Sequence, residues 1–322
     1  MNTYLGIDLG GTKLLIGEVD EAGHVLRNKC YPSGFLGQQE ACDLIFRSVD
    51  DYMATMALPS CPPRAIGAGL LGRVDTERGV WEQIDPGRTF PVALASALAS
   101  RYGLPAYIDN DVKSSTRAEM RWGAGRFTRD FVYVNVGTGI AAGAVVGGRL
   151  QRGGHYNAGE VGHTTVGVQV GTRCACGRSD CVETIAAGMG FDMCARLLQS
   201  QYPTALTIPA EGRVAVHDVY ALARQGDALC VRLVANAADA LARLVMNLVR
   251  MTDPDTVVLG GSVVADGYLL GQMQPLLQAE TMRFVSHGVQ LTTLDARYAG
   301  LLGAAAVAME GVSQSAVAAK DE

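Results

Sequence analysis

A two-domain α/β protein is what this sequence predicts, on three observations. The chain has 322 residues, more than a single domain usually holds. Apolar runs of strand length alternate with stretches of helical length and spacing, the grammar of α/β folds. One unit of strand, glycine turn and strand occurs twice, 127 residues apart from Gly10 to Gly137. Repetition at that distance means two similarly built domains, expected to face each other across a central cleft, rather than a solenoid of short repeats.

Tyr4 to Asp8 reads as the first strand, Leu9-Gly10-Gly11-Thr12-Lys13 as a glycine turn and Leu14 to Val19 as the second strand. Glu40 to Ala57 and Phe90 to Tyr102 have helical spacing, and Ala65 to Leu70 and Ala106 to Asp109 are strand-like. Phe131 to Val136 then meets Gly137-Thr138-Gly139 and a second strand ending in Ala144-Val145-Val146-Gly147-Gly148. Leu229, Leu233, Ala237, Leu241, Leu244, Val245 and Leu248 recur at helical intervals, and that helix must stop before Pro254. Asp255 to Leu259 is a buried strand opening onto Gly260-Gly261-Ser262, and the small, polar tail from Ser313 is expected to fray.

Composition removes several classes of function. Hydrophobic residues make up 48% of the chain and charged ones 18%, enough apolar content for sizeable cores. The net charge is -5 and Lys and Arg are scattered, so no face is prepared for nucleic acid. The start, MNTYLGIDLGGTK, enters a strand without a basic flank, and no apolar run is long enough to span a membrane. The expected place is therefore the cytoplasm, where the eight cysteines stay reduced. Cys30, Cys42, Cys61, Cys194 and Cys230 lie apart and read as small core or surface residues, whereas Cys174, Cys176 and Cys181 crowd into eight positions.

Four constellations carry chemistry. Asp8-Leu9-Gly10-Gly11-Thr12-Lys13 read alone is as good a hairpin turn as a phosphate loop, since paired glycines supply positive φ angles. It is no Walker loop, because Gly-Lys-Ser/Thr order is absent and a strand follows it. As a phosphate loop its N–H groups would converge on oxygens while Asp8 holds Mg²⁺ through water. Gly137-Thr138-Gly139 offers a second such set, and two suit the β- and γ-phosphates of ATP. Asn110-Asp111 follows a strand; an isolated pair of this kind is a helix cap, but beside phosphate loops the carboxylate is placed to accept the proton of an attacking hydroxyl. His163 with Cys174, Cys176 and Cys181 completes a closed tetrahedral zinc site, structural because no position is left for water. Glu160 and Glu183 flank that loop and are candidates for binding sugar hydroxyls rather than mere surface carboxylates.

These residues resemble the ROK family (repressor, open reading frame, kinase) of sugar kinases within the hexokinase and actin-like ATPase superfamily. The resemblance rests on Asp8 to Lys13, Asn110-Asp111, Gly137-Thr138-Gly139, Ala158-Gly159-Glu160-Val161-Gly162-His163, Cys174-Ala-Cys176-Gly177 with Cys181-Val-Glu183, and Leu259-Gly260-Gly261. It implies a two-domain actin-like, ribonuclease H-like ATPase fold that transfers the γ-phosphoryl group of ATP to a hexose or N-acetylhexosamine, most often at the 6-hydroxyl. Asp111 is then the catalytic base; Asn110, Glu160, His163 and Glu183, with Gly72 and Arg73, bind the sugar, and Gly260 and Gly261 lie near the adenosine. It also implies a small domain over 1–115, completed by a last helix near 303–311, a larger domain over 116–302, closure of one over the other, and a homodimer.

Four segments depart from the family pattern. Val112-Lys113 replaces a small pair after Asp111, Asp180 stands where glycine is common, and Ile84-Asp85-Pro86-Gly87 replaces a segment that often holds Asn and Trp. Gly72-Arg73-Val74-Asp75 is similar to a stretch of animal N-acetylmannosamine kinases, which points away from plain glucose. The alternatives are a sugar-responsive ROK regulator, for which no basic DNA-binding helix is present, and a catalytically silent sugar-binding protein, against which Asp8, Asp111 and both loops argue.

Overall fold

The computed structural model describes residues 2–34, 36–56, 61–85 and 87–318. Ala57, Pro86 and the last four positions, which figure in the expectations above, lie outside them. The chain divides into two compact units: Met1–Arg126, Arg152–Ala158 and Arg297–Glu322 form the first, Phe127–Gln151 and Gly159–Ala296 the second.

In the first unit β1 (Thr3–Leu9), β2 (Lys13–Asp20) and β3 (Val25–Pro32) form an antiparallel meander. After the helix Gln38–Thr55 come β4 (Ile66–Leu70), a small antiparallel sheet of β5 (Arg73–Asp75), β6 (Val80–Asp85) and β7 (Arg88–Val92), the helix Leu94–Tyr102 and β8 (Ala106–Asn110). The main sheet has the order β3-β2-β1-β4-β8, with β1, β4 and β8 parallel. Because parallel strands are covered on both faces they read as nearly unbroken apolar runs, as Ile66–Leu70 does with every residue buried.

The second unit repeats this plan. β9 (Phe131–Val136), β10 (Ile140–Val146) and β11 (Arg149–Leu150) are the meander, and β12 (Thr256–Gly260) and β13 (Val289–Leu291) the parallel strands, in the order β11-β10-β9-β12-β13. The doubled strand-turn-strand signal thus marks the same sheet built twice. The helix Ala228–Thr252 buries one face against this unit's core and ends where Asp253 turns left-handed before Pro254.

The helix Ala299–Ala318 closes the first unit. Leu301 to Met309 are buried on every side, so this helix is apolar all round rather than striped. It reaches the sheet only because the strands offer bare backbone: a Cβ on Gly67 would overlap the Ala304 carbonyl. The small residues of Gly300-Leu-Leu-Gly-Ala-Ala-Ala are the other half of that fit.

Two local expectations change. Phe90, Pro91 and Val92 belong to β7, and the helix starts only at Leu94. Val92 pairs with Trp81, whose buried indole donates to the Leu71 carbonyl at 2.8 Å, and this tertiary anchor outweighs helical spacing. The tail does not fray at Ser313: the helix continues to Ala318, with the Ser313 and Ser315 hydroxyls donating to the carbonyls four residues earlier. The helix Asp111–Trp122 carries the first unit past position 115, on to Arg126.

Candidate active site

The residues singled out from the sequence fall into two groups, one in each unit. In the first unit they stand at one edge of the sheet, the carboxyl ends of β1, β4 and β8, where ligands of open α/β sheets bind. The register aligns Asp8 with Gly69 and Gly69 with Asp109. Asp8 therefore stands two strands from the Asn110-Asp111 turn.

The Leu9–Lys13 turn is tight, its Gly10 N–H donating to the Lys13 carbonyl at 2.9 Å. Neither Gly10 nor Gly11 has a left-handed φ, so positive φ is not why glycine stands at either position. Nothing lies within 4 Å of where a Gly11 Cβ would be, and Thr12 and Lys13 are exposed. The Gly10 N–H is spent on closing the turn, and what Gly11 provides is unobstructed space beside the backbone. Desolvation pushes the Asp8 carboxyl up to about 6, Lys13 opposing the shift. The sign is that of a strained anion: between roughly pH 4 and 6 the folded chain binds the proton more tightly than the unfolded one, so this group's stabilisation is lost as pH rises through 6. At neutral pH the carboxylate is ionised at a cost that a facing cation would offset, which fits Mg²⁺.

Asn110 is the cap of the Asp111–Trp122 helix, its Oδ1 accepting from the Val112 and Lys113 N–H groups at 3.1 Å each. Its Nδ2 donates to the Gly72 carbonyl at 3.0 Å and to Asp111 Oδ1 at 2.9 Å. The cap reading is thus correct for Asn110, and it serves the other reading too, since Asp111 is held by the capping side chain. The Val112 N–H also donates to Asp111 Oδ1 at 2.9 Å. Gly72 turns left-handed before β5, and Arg73 Nη2 lies 3.8 Å from Glu82 Oε2.

In the second unit Gly137-Thr138-Gly139 joins β9 to β10, and the Gly188 N–H donates to the Gly137 carbonyl at 2.8 Å. Gly260 pairs with Asn135 next to this loop. Gly261 is left-handed and a Cβ there would overlap the Val136 carbonyl, so only glycine lets the chain turn so close to β9. Glu183 Oε2 accepts from the Ile140 N–H at 2.9 Å, and its Oε1 is 3.9 Å from His163 Nδ1. One carboxylate therefore links the glycine loop to the cysteine loop. Glu160 precedes the short helical turn Val161–His163 and is exposed.

His163, Cys174, Cys176 and Cys181 bring one donor atom each within 4.8 Å of one another. Cys174 Sγ is 3.3 Å from His163 Nδ1 and Cys176 Sγ is 3.5 Å from Cys181 Sγ. A tetrahedron with metal–sulfur bonds of about 2.3 Å has edges of roughly 3.8 Å, so this donor set can close on one metal ion. Burial pushes the Cys181 thiol up to about 12 and raises Cys174, while the Arg178 N–H lowers Cys176. Asp180, where glycine was expected, has φ +56° and pins the loop: its Oδ1 accepts from the Gly171 and Thr172 N–H groups at 2.8 and 2.9 Å. A short carboxylate both tolerates that conformation and satisfies backbone donors that glycine would leave to water.

The Asp109 ion cluster escaped the sequence reading, as did the partner of Lys113. Asp109 is 2% exposed and takes Arg117 Nε at 3.0 Å and the Arg152 fork at 3.1 and 2.9 Å. Lys113 is 4% exposed and donates to the Ala158 carbonyl. No local pattern announces pairings between residues 43 and 45 positions apart.

Residues 4–310 match the ROK family model. The chain belongs to the ROK family. Among its ROK relatives, the N-acetylmannosamine kinase of Citrobacter koseri is 32% identical over 94% of this chain and 98% of its own length. The ROK hexokinase of Thermus thermophilus superposes with a TM-score of 0.74 at 29% identity, covering 97% of this chain and 99% of that one. A ROK glucokinase from Streptomyces griseus, solved with glucose and AMPPNP, gives 0.74 at 26% identity, covering 96% and 100%. The fold is accordingly that of ROK kinases, the actin-like ATPase fold. Among the described residues no helix is long and apolar enough to cross a membrane.

Proposed function

We propose that this ROK protein transfers the γ-phosphoryl group of ATP to a hexose or N-acetylhexosamine, at the 6-hydroxyl, with Asp111 as general base. The enzyme class, a carbohydrate kinase, rests on full-length relatives named as sugar kinases. The observation that carries the residue assignment is the turn after β8, where Asn110 Nδ2 and the Val112 N–H fix one oxygen of Asp111 on the same sheet edge as Asp8.

An alcohol is a weak nucleophile near neutral pH, and a fixed carboxylate both orients it and accepts its proton as the new P–O bond forms. Asp8 with Lys13 and the Gly11-Thr12 backbone would hold the phosphates and Mg²⁺, whose chemistry is to neutralise charge gathering on the phosphoryl oxygens. Gly137-Thr138-Gly139 would supply further donors, with Gly260-Gly261 toward the nucleoside. Glu160, His163 and Glu183, with Gly72 and Arg73, are assigned to the sugar; Asn110 contributes mainly by holding Asp111. A structural Zn²⁺ on His163, Cys174, Cys176 and Cys181 would fix the loop that bears three of these groups.

The test is ADP release with glucose, mannose, allose, fructose, N-acetylglucosamine and N-acetylmannosamine. Turnover of at least one is expected, and a flat result over all six rejects the kinase reading. A second expectation concerns Gly300, at the start of the last helix, where a Cβ would overlap the Asp8 carboxylate. Gly300→Ala should displace that carboxylate and lower kcat/KM for MgATP by roughly tenfold to a hundredfold, the scale of an ångström misplacement. The melting temperature should stay close to wild type, as alanine suits a helix. Unchanged MgATP kinetics would separate Asp8 from the nucleotide.

A further inference from the structure

The chain leaves the second unit at Gln151, runs over the first as Arg152–Ala158, and returns at Gly159. Three fastenings hold this strap. Arg152 grips Asp109 through both guanidinium nitrogens, at 3.1 and 2.9 Å. The Tyr156 phenol lies against the Glu77 and Asp75 carboxylates, where desolvation and these acceptors push it up to about 12, and its φ of +57° bends the strap back. Lys113 donates from its buried ammonium to the Ala158 carbonyl.

The outer fastenings start from Asp109 and Lys113, which bracket Asp111 by two residues on either side. Ala158 is the last residue before Gly159-Glu160-Val161-Gly162-His163. A lysine so thoroughly buried is rare unless its charge is used, since removing an ammonium from water is expensive. Here it reaches a carbonyl that a small side chain at position 113 could not touch.

We propose that Lys113 is a positioning residue for sugar recognition: through the Ala158 carbonyl it ties the helix that begins at Asp111 to the segment leading into Glu160 and His163. The idea rests on the assignment of those residues to the sugar. It gives the departure at Val112-Lys113 a purpose, because the side chain that replaces a small residue supplies a fastening at that end of the strap.

Lys113→Met keeps most of the length and the apolar stem but removes the donor, and Lys113→Gln keeps an N–H donor without the charge. Both should be compared with wild type in the full chain by hydrogen exchange over 153–163, thermal unfolding, and separate KM values for MgATP and for the sugar found in the screen. Lys113→Met should exchange faster across that stretch and raise the sugar KM by roughly tenfold or more, the scale of a charge-assisted hydrogen bond. The MgATP KM should hold, and Lys113→Gln should recover part of both effects. Wild-type exchange and sugar KM in Lys113→Met would overturn the proposal. So would equal rises in both KM values with a lower melting temperature, the signature of general destabilisation. If wild type turns over no sugar, the kinase reading fails by itself, while exchange still decides whether Lys113 fastens the strap.

Discussion

Asp111→Asn is expected to lower kcat by about a hundredfold or more, the usual scale of losing a general base, equivalent to about 2.7 kcal/mol of barrier. The substitution keeps the side chain's size and an oxygen able to accept from Val112 N–H and Asn110 Nδ2, so the helix start is preserved. What disappears is the proton acceptor. KM for MgATP should scarcely change, because holding the phosphates is the proposed role of Asp8 and the glycine loops, and the sugar KM should rise only modestly. Steady-state kinetics with the best sugar from the screen, beside a melting curve, gives the answer. Near-normal turnover would move the base elsewhere and leave Asn110-Asp111 as a cap alone.

Cys176→Ser should have an effect of comparable size by another route. Wild type should carry one zinc per chain and the variant far less, since one of the four ligands that share the site's binding free energy is removed. Loss of sugar turnover should accompany loss of metal, because His163 and, through its 3.9 Å approach, Glu183 depend on the same loop. Strands β9 to β13 and the Ala228–Thr252 helix supply most of this unit's core, but Val168 and Val182 of the cysteine loop are buried in it, so a melting curve belongs beside the assay. Elemental analysis together with activity settles the point; zinc-free wild type that is fully active would refute the structural role.

Much of the fold could be read along the chain because its signals are local. Strand-length apolar runs and paired glycines at Gly10-Gly11 and Gly137-Gly139 mark both hairpins, and Pro254 marks the end of the long helix. Strands β5 to β7 were not legible, since what fixes them is Trp81 reaching the Leu71 carbonyl and Gln38 reaching the Trp81 carbonyl, contacts made only after folding. The same holds for the last helix, whose small residues look like a featureless run until Gly67 meets Ala304.

By itself the sequence determined the family, the α/β class, the doubled plan and the identity of the chemical groups, because carboxylates, glycine turns and a Cys₃His set are chemistry written in residue type and spacing. Only the tertiary structure decided which backbone atoms restrain those groups. It bound the Asn110 cap to Asp111, put Glu183 on the Ile140 N–H, let Asp180 stand in for glycine, and joined Lys113 to Ala158. The physical reason is that, apart from the local Asn110 cap, these restraints are hydrogen bonds between segments 43 and 45 positions apart, or a conformation imposed by packing. Such terms depend on separations in space, which residue order does not encode locally.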